Sequence, residues 1–204
     1  MFSKYAILLD GGFVTKKLQG RLGRFPTADD VVQECERVSK SPHLAGRDLL
    51  RIYFYDSSPA KDRLTNPIDG SAFDLSATQE FRDHVSLLDK LELTPNFALR
   101  KGELVVHGWK LGSKAFKAMT KSPRLPTAKD MVPDLEQKGV DLRIGLDIAR
   151  LALREMVDFI VVVTGDSDLV PAFRFARREG VRVILDHMGH GVRRELKAHA
   201  DLVI

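Results

Sequence analysis

The chain has 204 residues, 44% of them hydrophobic and 29% charged, with a formal net charge of +4 and a pI near 9.2. This is enough apolar material for one sizeable core, and the mild basicity permits a polyanionic partner without requiring one. The single cysteine, Cys35, excludes an intramolecular disulfide framework, and no apolar run suits a signal peptide or a membrane span; a single-domain cytoplasmic protein with no membrane partner is expected.

In chain order, residues 5 to 9 read as a first strand that runs into Asp10 and two glycines. Helices are expected near 12 to 20 and over 28 to 40, where Val31, Val32, Cys35 and Val38 recur at helical spacing. "LLRIYFYDS" (49 to 57) reads as a second strand, closed by Asp56. Prolines, Asn66, Asp69 and Gly70 make 58 to 75 a loop, and Phe81, Val85, Leu88 and Leu91 place a helix over 76 to 92. "FALRKGELVVHG" reads as two short strands around a turn at Lys101-Gly102. A long helix over 139 to 157 leads into "FIVVV", a strand type that is buried on both faces. Gly165 ends that strand, and Ser167 or Asp168 can cap the next helix. Residues 181 to 186 form a further strand, 191 to 199 a helix, and "ADLVI" a last strand. Strands alternating with helices define an α/β class, three layers around a central, mostly parallel sheet.

Aspartates gather where such sheets place ligands. Asp10 and Asp166 each follow a buried-type strand, and Asp168 stands two residues beyond Asp166. Capping explains one aspartate; two in D-x-D spacing repel unless a cation lies between them. Asp141 starts the long helix and Asp147 lies inside it, on a polar stripe with Arg143, Arg150 and Arg154. For Asp147, an ordinary ion pair with arginine and a place in the acidic group both stand. Hard divalent cations such as Mg²⁺ or Mn²⁺ suit such oxygen ligands, and phosphodiester hydrolysis suits such a site. Zinc-type histidine spacing, a dinucleotide or Walker A loop and a G-x-S-x-G elbow are all lacking in the sequence.

"LLDGGF", "QKGVDLRIGLDIARLAL", "IVVVTGDSDLVPAFRFARREGVRVIL" and "ADLVI" resemble the NYN domain family, the LabA-like group within the PIN-like nuclease fold. The similarity is strongest over 137 to 185, where K-G-V-D and T-G-D-S-D stand in the family's order. It implies a parallel sheet between helices and cleavage of RNA with Mg²⁺ or Mn²⁺. The implied catalytic residues are Asp10, Asp141, Asp147, Asp166 and Asp168, with Asp10, Asp147, Asp166 and Asp168 on the metal. One departure stands out: many members carry Asn three residues after the first aspartate, and this chain has Phe13.

A basic insertion at about 94 to 130 carries Arg100, Lys101, Lys110, Lys114, Lys117, Lys121, Arg124 and Lys129. Lys and Arg neutralise phosphates and an aromatic can stack on a base. Lys101, Trp109, Lys110, Lys114, Lys117, Lys138, Arg143 and Arg150 are therefore the expected RNA contacts. The leading reading is a metal-dependent ribonuclease. An RNA-binding module with little or no turnover is the alternative, a nucleotide phosphatase stands third, and homodimer formation is left open.

Overall fold

Apolar, β-branched runs without polar alternation need cover on both faces. In this protein they form the middle of one sheet. The computed structural model describes residues 3–204. Its elements are β1 (Lys4–Asp10), α1 (Gly11–Leu22), α2 (Ala28–Ser39), β2 (Asp48–Ser57), β3 (Arg63–Thr65), β4 (Ala72–Asp74) and α3 (Gln79–Glu92). There follow β5 (Phe97–Leu111), α4 (Ser113–Lys121), β6 (Met131–Lys138), α5 (Val140–Leu153), β7 (Phe159–Val163), α6 (Val170–Arg178), β8 (Arg182–Asp186), α7 (Arg194–Ala198) and β9 (Leu202–Val203). Seven strands pair in the order β6-β5-β2-β1-β7-β8-β9, all parallel except β5 with β6.

Side chains alternate across a strand, so β1 feeds two cores. Tyr5, Ile7 and Leu9 pack with Val14 and Leu18 of α1, Val31, Cys35 and Val38 of α2, and Leu87, Leu88 and Leu91 of α3. Ala6 and Leu8 pack on the other face with Ile144, Ile148 and Leu151 of α5, Phe173 and Ala176 of α6, and Leu196 of α7. The expected three-layer α/β arrangement with a mostly parallel sheet is the observed one. No helix among the described residues is long and apolar enough to cross a membrane.

The region after α3 differs from the sequence reading. Lys101-Gly102 is not a turn, and β5 runs through it as one strand. Phe97–Gly102 pairs parallel with β2, while Glu103–Leu111 pairs antiparallel with β6. The second half of β5, α4 and β6 therefore form an arm beyond the last residue that β2 pairs. Strand β6 escaped sequence reading because Pro133, Glu136, Gln137 and Lys138 show no buried face. The expected loop over 58 to 75 holds the short antiparallel pair β3–β4. Helix α5 ends at Leu153 rather than at 157.

Gly102 marks a crowded crossing instead. A Cβ on it would lie 2.8 Å from the Lys138 carbonyl oxygen and 2.9 Å from Val140 Cγ2, at the start of α5. Gly102→Ala is expected to destabilise the fold by about 1–3 kcal/mol, as overpacking does. Urea denaturation measures it, and an unchanged midpoint contradicts the crowding.

Candidate functional site

Strands β1 and β7 are neighbours, with Leu9 opposite Val163. Both therefore release their next residues, Asp10 and Thr164, at the same carboxyl edge. Asp10 caps α1: its Oδ1 accepts from the Phe13 backbone N–H at 3.1 Å. Its Oδ2 accepts from the Thr164 hydroxyl at 3.0 Å. That hydroxyl in turn accepts from the Asp166 backbone N–H at 3.1 Å. Asp166 then caps the short turn Ser167–Leu169 before α6, accepting from the Asp168 N–H at 2.9 Å. Thr164, fully buried, is the joint between the two aspartates, and nothing in its position in the sequence marked it.

Asp141, in the first turn of α5, faces the same edge. Burial pushes the Asp10 carboxyl up to about 6; the Phe13 and Thr164 hydrogen bonds oppose this, and the charges of Asp141 and Asp166 add to it. Asp141 is also raised, by its own partial burial and then by the charges of Asp166 and Asp168. Asp10, Asp141, Asp166 and Asp168 thus feel one another. Among the described residues none of the four has a Lys, Arg or His ion-pair partner.

Asp147 does not join them. Six residues of helix carry it about 9 Å further along α5 and to another side. There its Oδ2 accepts from the Tyr55 hydroxyl and from Arg100 Nε, each at 2.9 Å. Arg100 also lies over the Tyr53 ring, 5.0 Å from its centre. Asp147 is thus the ion-pair aspartate, with its arginine supplied by β5 rather than by its own helix. The expected place of Asp147 among the metal ligands is corrected accordingly.

Phe13 takes the position of the family asparagine. Its ring closes over Gly165, where a Cβ would meet it at 2.7 Å, and it lies 6.0 Å from the His190 ring. Lys17, one turn on, bonds His190 Nδ1 at 2.8 Å and lies 5.7 Å from the Phe13 ring centre. This basic pair beside the aspartates went unread because 173 residues separate its members.

The expected RNA contacts are spread over the arm and α5. Lys114 and Lys117 are exposed on α4 and form no ion pair among the described residues. Lys110 bonds Asp134 at 2.6 Å, Lys101 bonds Glu92 at 3.1 Å, and Lys138 approaches Glu136 at 3.5 Å. Trp109 is half-buried, edge-on to Phe73 at 5.7 Å, rather than standing free. On α5, Arg143 bonds the Gly139 carbonyl at 2.9 Å, and Arg150 is exposed.

A second polar group, unread in the sequence, lies behind β2. Buried Asp56 accepts from His84 Nε2 at 2.9 Å, from Gln137 Nε2 at 2.9 Å and from the Ser57 N–H at 2.7 Å. Gln137 reaches back toward the aspartate edge. The point where a Cβ on Gly12 would stand is 3.3 Å from its Oε1 and 3.8 Å from Asp10 Oδ1.

As placed, no group of three or more His, Cys, Asp or Glu side chains among the described residues could hold a metal ion. The donor set nevertheless fits an ion that keeps most of its waters. Mg²⁺ is typically held by one or two carboxylates and substrate phosphate rather than by a closed protein cage. Four mutually repelling carboxylates without a basic partner offer that.

These features define an α/β protein with a negative pocket at the carboxyl edge of a parallel sheet. Residues 108–204 match the NYN domain, and over that stretch the chain belongs to the NYN family, one grouped with the PIN-like nucleases. No curated protein matches. Among solved structures, a protein of unknown function from Vibrio parahaemolyticus aligns with 100% of this chain and 92% of its own, at 16% identity and a TM-score of 0.53. That likeness is one of fold alone.

The raised Asp10 carboxyl gives a signed prediction. Its folded pKa of about 6 lies above its ordinary value of 3.8, so the folded state holds the proton more tightly. Without divalent metal, stability should rise as pH falls from about 6 toward 4, by on the order of 1–3 kcal/mol. Asp10→Asn should lose that rise and melt higher than wild type at pH 8. Thermal melts in EDTA measure it; superimposable pH profiles would count against the burial of charge at Asp10.

Proposed function

We propose that the protein is a metal-dependent ribonuclease of the cytoplasm. One observation carries the reading: the aspartates at the sheet edge lack basic partners while other sequestered acids have them. Glu34 is held by Arg21 and Arg37, Asp130 by Arg124, Asp147 by Arg100 and Asp186 by Arg37. A fold that neutralises its acids elsewhere leaves Asp10, Asp141, Asp166 and Asp168 for a cation from outside. Asp10 and Asp166, fixed through Thr164, would be its first holders, with Asp141 and Asp168 adding negative field.

A bound Mg²⁺ or Mn²⁺ would supply charge neutralisation at the phosphate and a more acidic attacking water. The chain's own groups do the rest. Asp10, titrating near 6, can take up a proton close to neutral pH. Thr164 and the Phe13 N–H hold both its oxygens in place. Lys17, Arg143 and Arg150 are disposed to meet backbone phosphates, and Lys114 and Lys117 extend a basic path along the arm.

The alternative, an RNA-binding module with little turnover, is favoured by Phe13. Its ring fills a place where an amide could orient water or phosphate.

Labelled single-stranded RNA should be cut in Mn²⁺ and spared in EDTA. Asp10→Asn and Asp166→Asn should each slow cutting by on the order of 100-fold or more, while remaining folded. Asp147→Asn should lower stability but leave the rate per folded molecule within a few-fold. Equal rates for wild type and Asp166→Asn would leave only the capping role.

Binding in EDTA tests the arm. Lys114→Ala with Lys117→Ala should weaken RNA binding and flatten the slope of log affinity against log salt by about 1. An unchanged slope puts the RNA path elsewhere.

A further inference from the structure

Between the arm and the start of α3 lies an apolar cleft of about 280 Å³. Phe73 and Phe81 line it, with Leu104 and Leu135 from the arm and Glu80 and His84 from α3. We propose that this cleft is a nucleobase subsite that prefers guanine and receives the base of a nucleotide next to the cut phosphate. Its placement relative to the cut rests on the ribonuclease reading above; its ligand chemistry does not.

The volume is near the lower limit of ligand pockets, about 300 Å³, which suits a single base or nucleoside. Aromatic and leucine side chains suit the faces of a flat ring. The polar groups decide which ring. His84 gives its Nε2 to buried Asp56 at 2.9 Å, and a carboxylate can only accept, so Nε2 carries the hydrogen. In the neutral ring Nδ1 is then an acceptor, and it has no partner among the described residues. Glu80 stands one helical turn earlier, at i, i+4 spacing, beside His84 on the same cleft wall. Thr78 is already committed: its hydroxyl donates to the Leu75 carbonyl at 2.7 Å and accepts from the Phe81 N–H at 3.1 Å. The wall thus offers two adjacent acceptors. Guanine presents two adjacent donors on its Watson–Crick edge, the ring N–H and the exocyclic amine. Adenine, cytosine and uracil each alternate a donor with an acceptor there.

The cleft also lies where a neighbouring nucleotide would. Leu135 and Gln137 are two residues apart on β6 and so share a face of the arm. Leu135 lines the cleft, and Gln137 bonds Asp56 at 2.9 Å. On its other side Gln137 Oε1 approaches the Gly12 position next to Asp10. One row of side chains thus connects the cleft to the aspartate edge.

The single tryptophan provides the probe. Trp109 touches Phe73, at 5.7 Å between ring centres, and Phe73 lines the cleft. GMP, AMP, CMP and UMP are titrated into the full chain in EDTA while Trp109 emission is followed with red-edge excitation. A saturable change with GMP, about tenfold tighter than with the other three, is expected for two matched hydrogen bonds. His84→Phe should remove the preference, and Leu135→Glu, at a partly exposed position that leaves the Asp56–His84 bond intact, should weaken GMP at least tenfold. No response to any nucleotide, equal responses to all four, or a GMP response that survives Leu135→Glu overturns the subsite. RNA cleavage without a GMP response overturns the subsite and leaves the nuclease reading standing. A selective GMP response without cleavage supports the subsite and defeats the nuclease reading.

Discussion

The parallel pairing of β1 with β7 is the constraint from which the site follows. With Leu9 opposite Val163, the two strands end level, and their next residues come out side by side. A shift of one residue would turn Asp10 to the other face of the sheet and take it away from Thr164. Register is secure here because both strands are buried on both faces, so any slip would expose or misplace five apolar side chains. The Thr164 hydroxyl then converts strand register into side-chain geometry, donating to one aspartate and accepting from the backbone of the next.

The structure separates two uses of acidic residues. Asp147, Asp130 and Glu34 are locked to guanidinium groups and serve the scaffold. Asp10, Asp141 and Asp166 meet helix beginnings instead: α1, α5 and the turn before α6 all start at this edge. The positive ends of those helices soften the repulsion without cancelling it, since each carries only about half a charge. Capping and cation holding are therefore compatible uses of one carboxylate. The capping bonds fix its direction and the residual charge gives it a ligand to seek.

Much of the fold was legible in the sequence. Long apolar runs such as "FIVVV" and helices with a strong stripe such as α2 announce themselves through periodicity. The convergence of Asp10 with Asp166 could be reasoned from strand ends in a parallel sheet. The arm could not, because its strands are stabilised by each other and not by a buried face. Gly102 looked like a turn because glycine in a polar stretch usually is one; here it answers a close approach by Lys138 and Val140, which only the tertiary structure shows. Asp147 and Arg100 lie 47 residues apart, and the arginine looked like part of a basic surface. The same holds for the Asp56–His84 and Lys17–His190 pairs. Long-range polar partners leave no local mark.

The Thr164–Asp10 bond joins residues separated by 154 positions. Contact order gives this a kinetic meaning: distant pairings carry the largest loop-closure entropy and form after local ones. The arm, a local antiparallel unit, can assemble on its own schedule, but the acidic edge exists only once both ends of the chain have met. Folding therefore postpones the repulsion among the carboxylates to its final stage, when nearly all the apolar burial that offsets it is already in place. Partly folded chains would lack the site altogether, so activity would emerge only with completion of the native sheet.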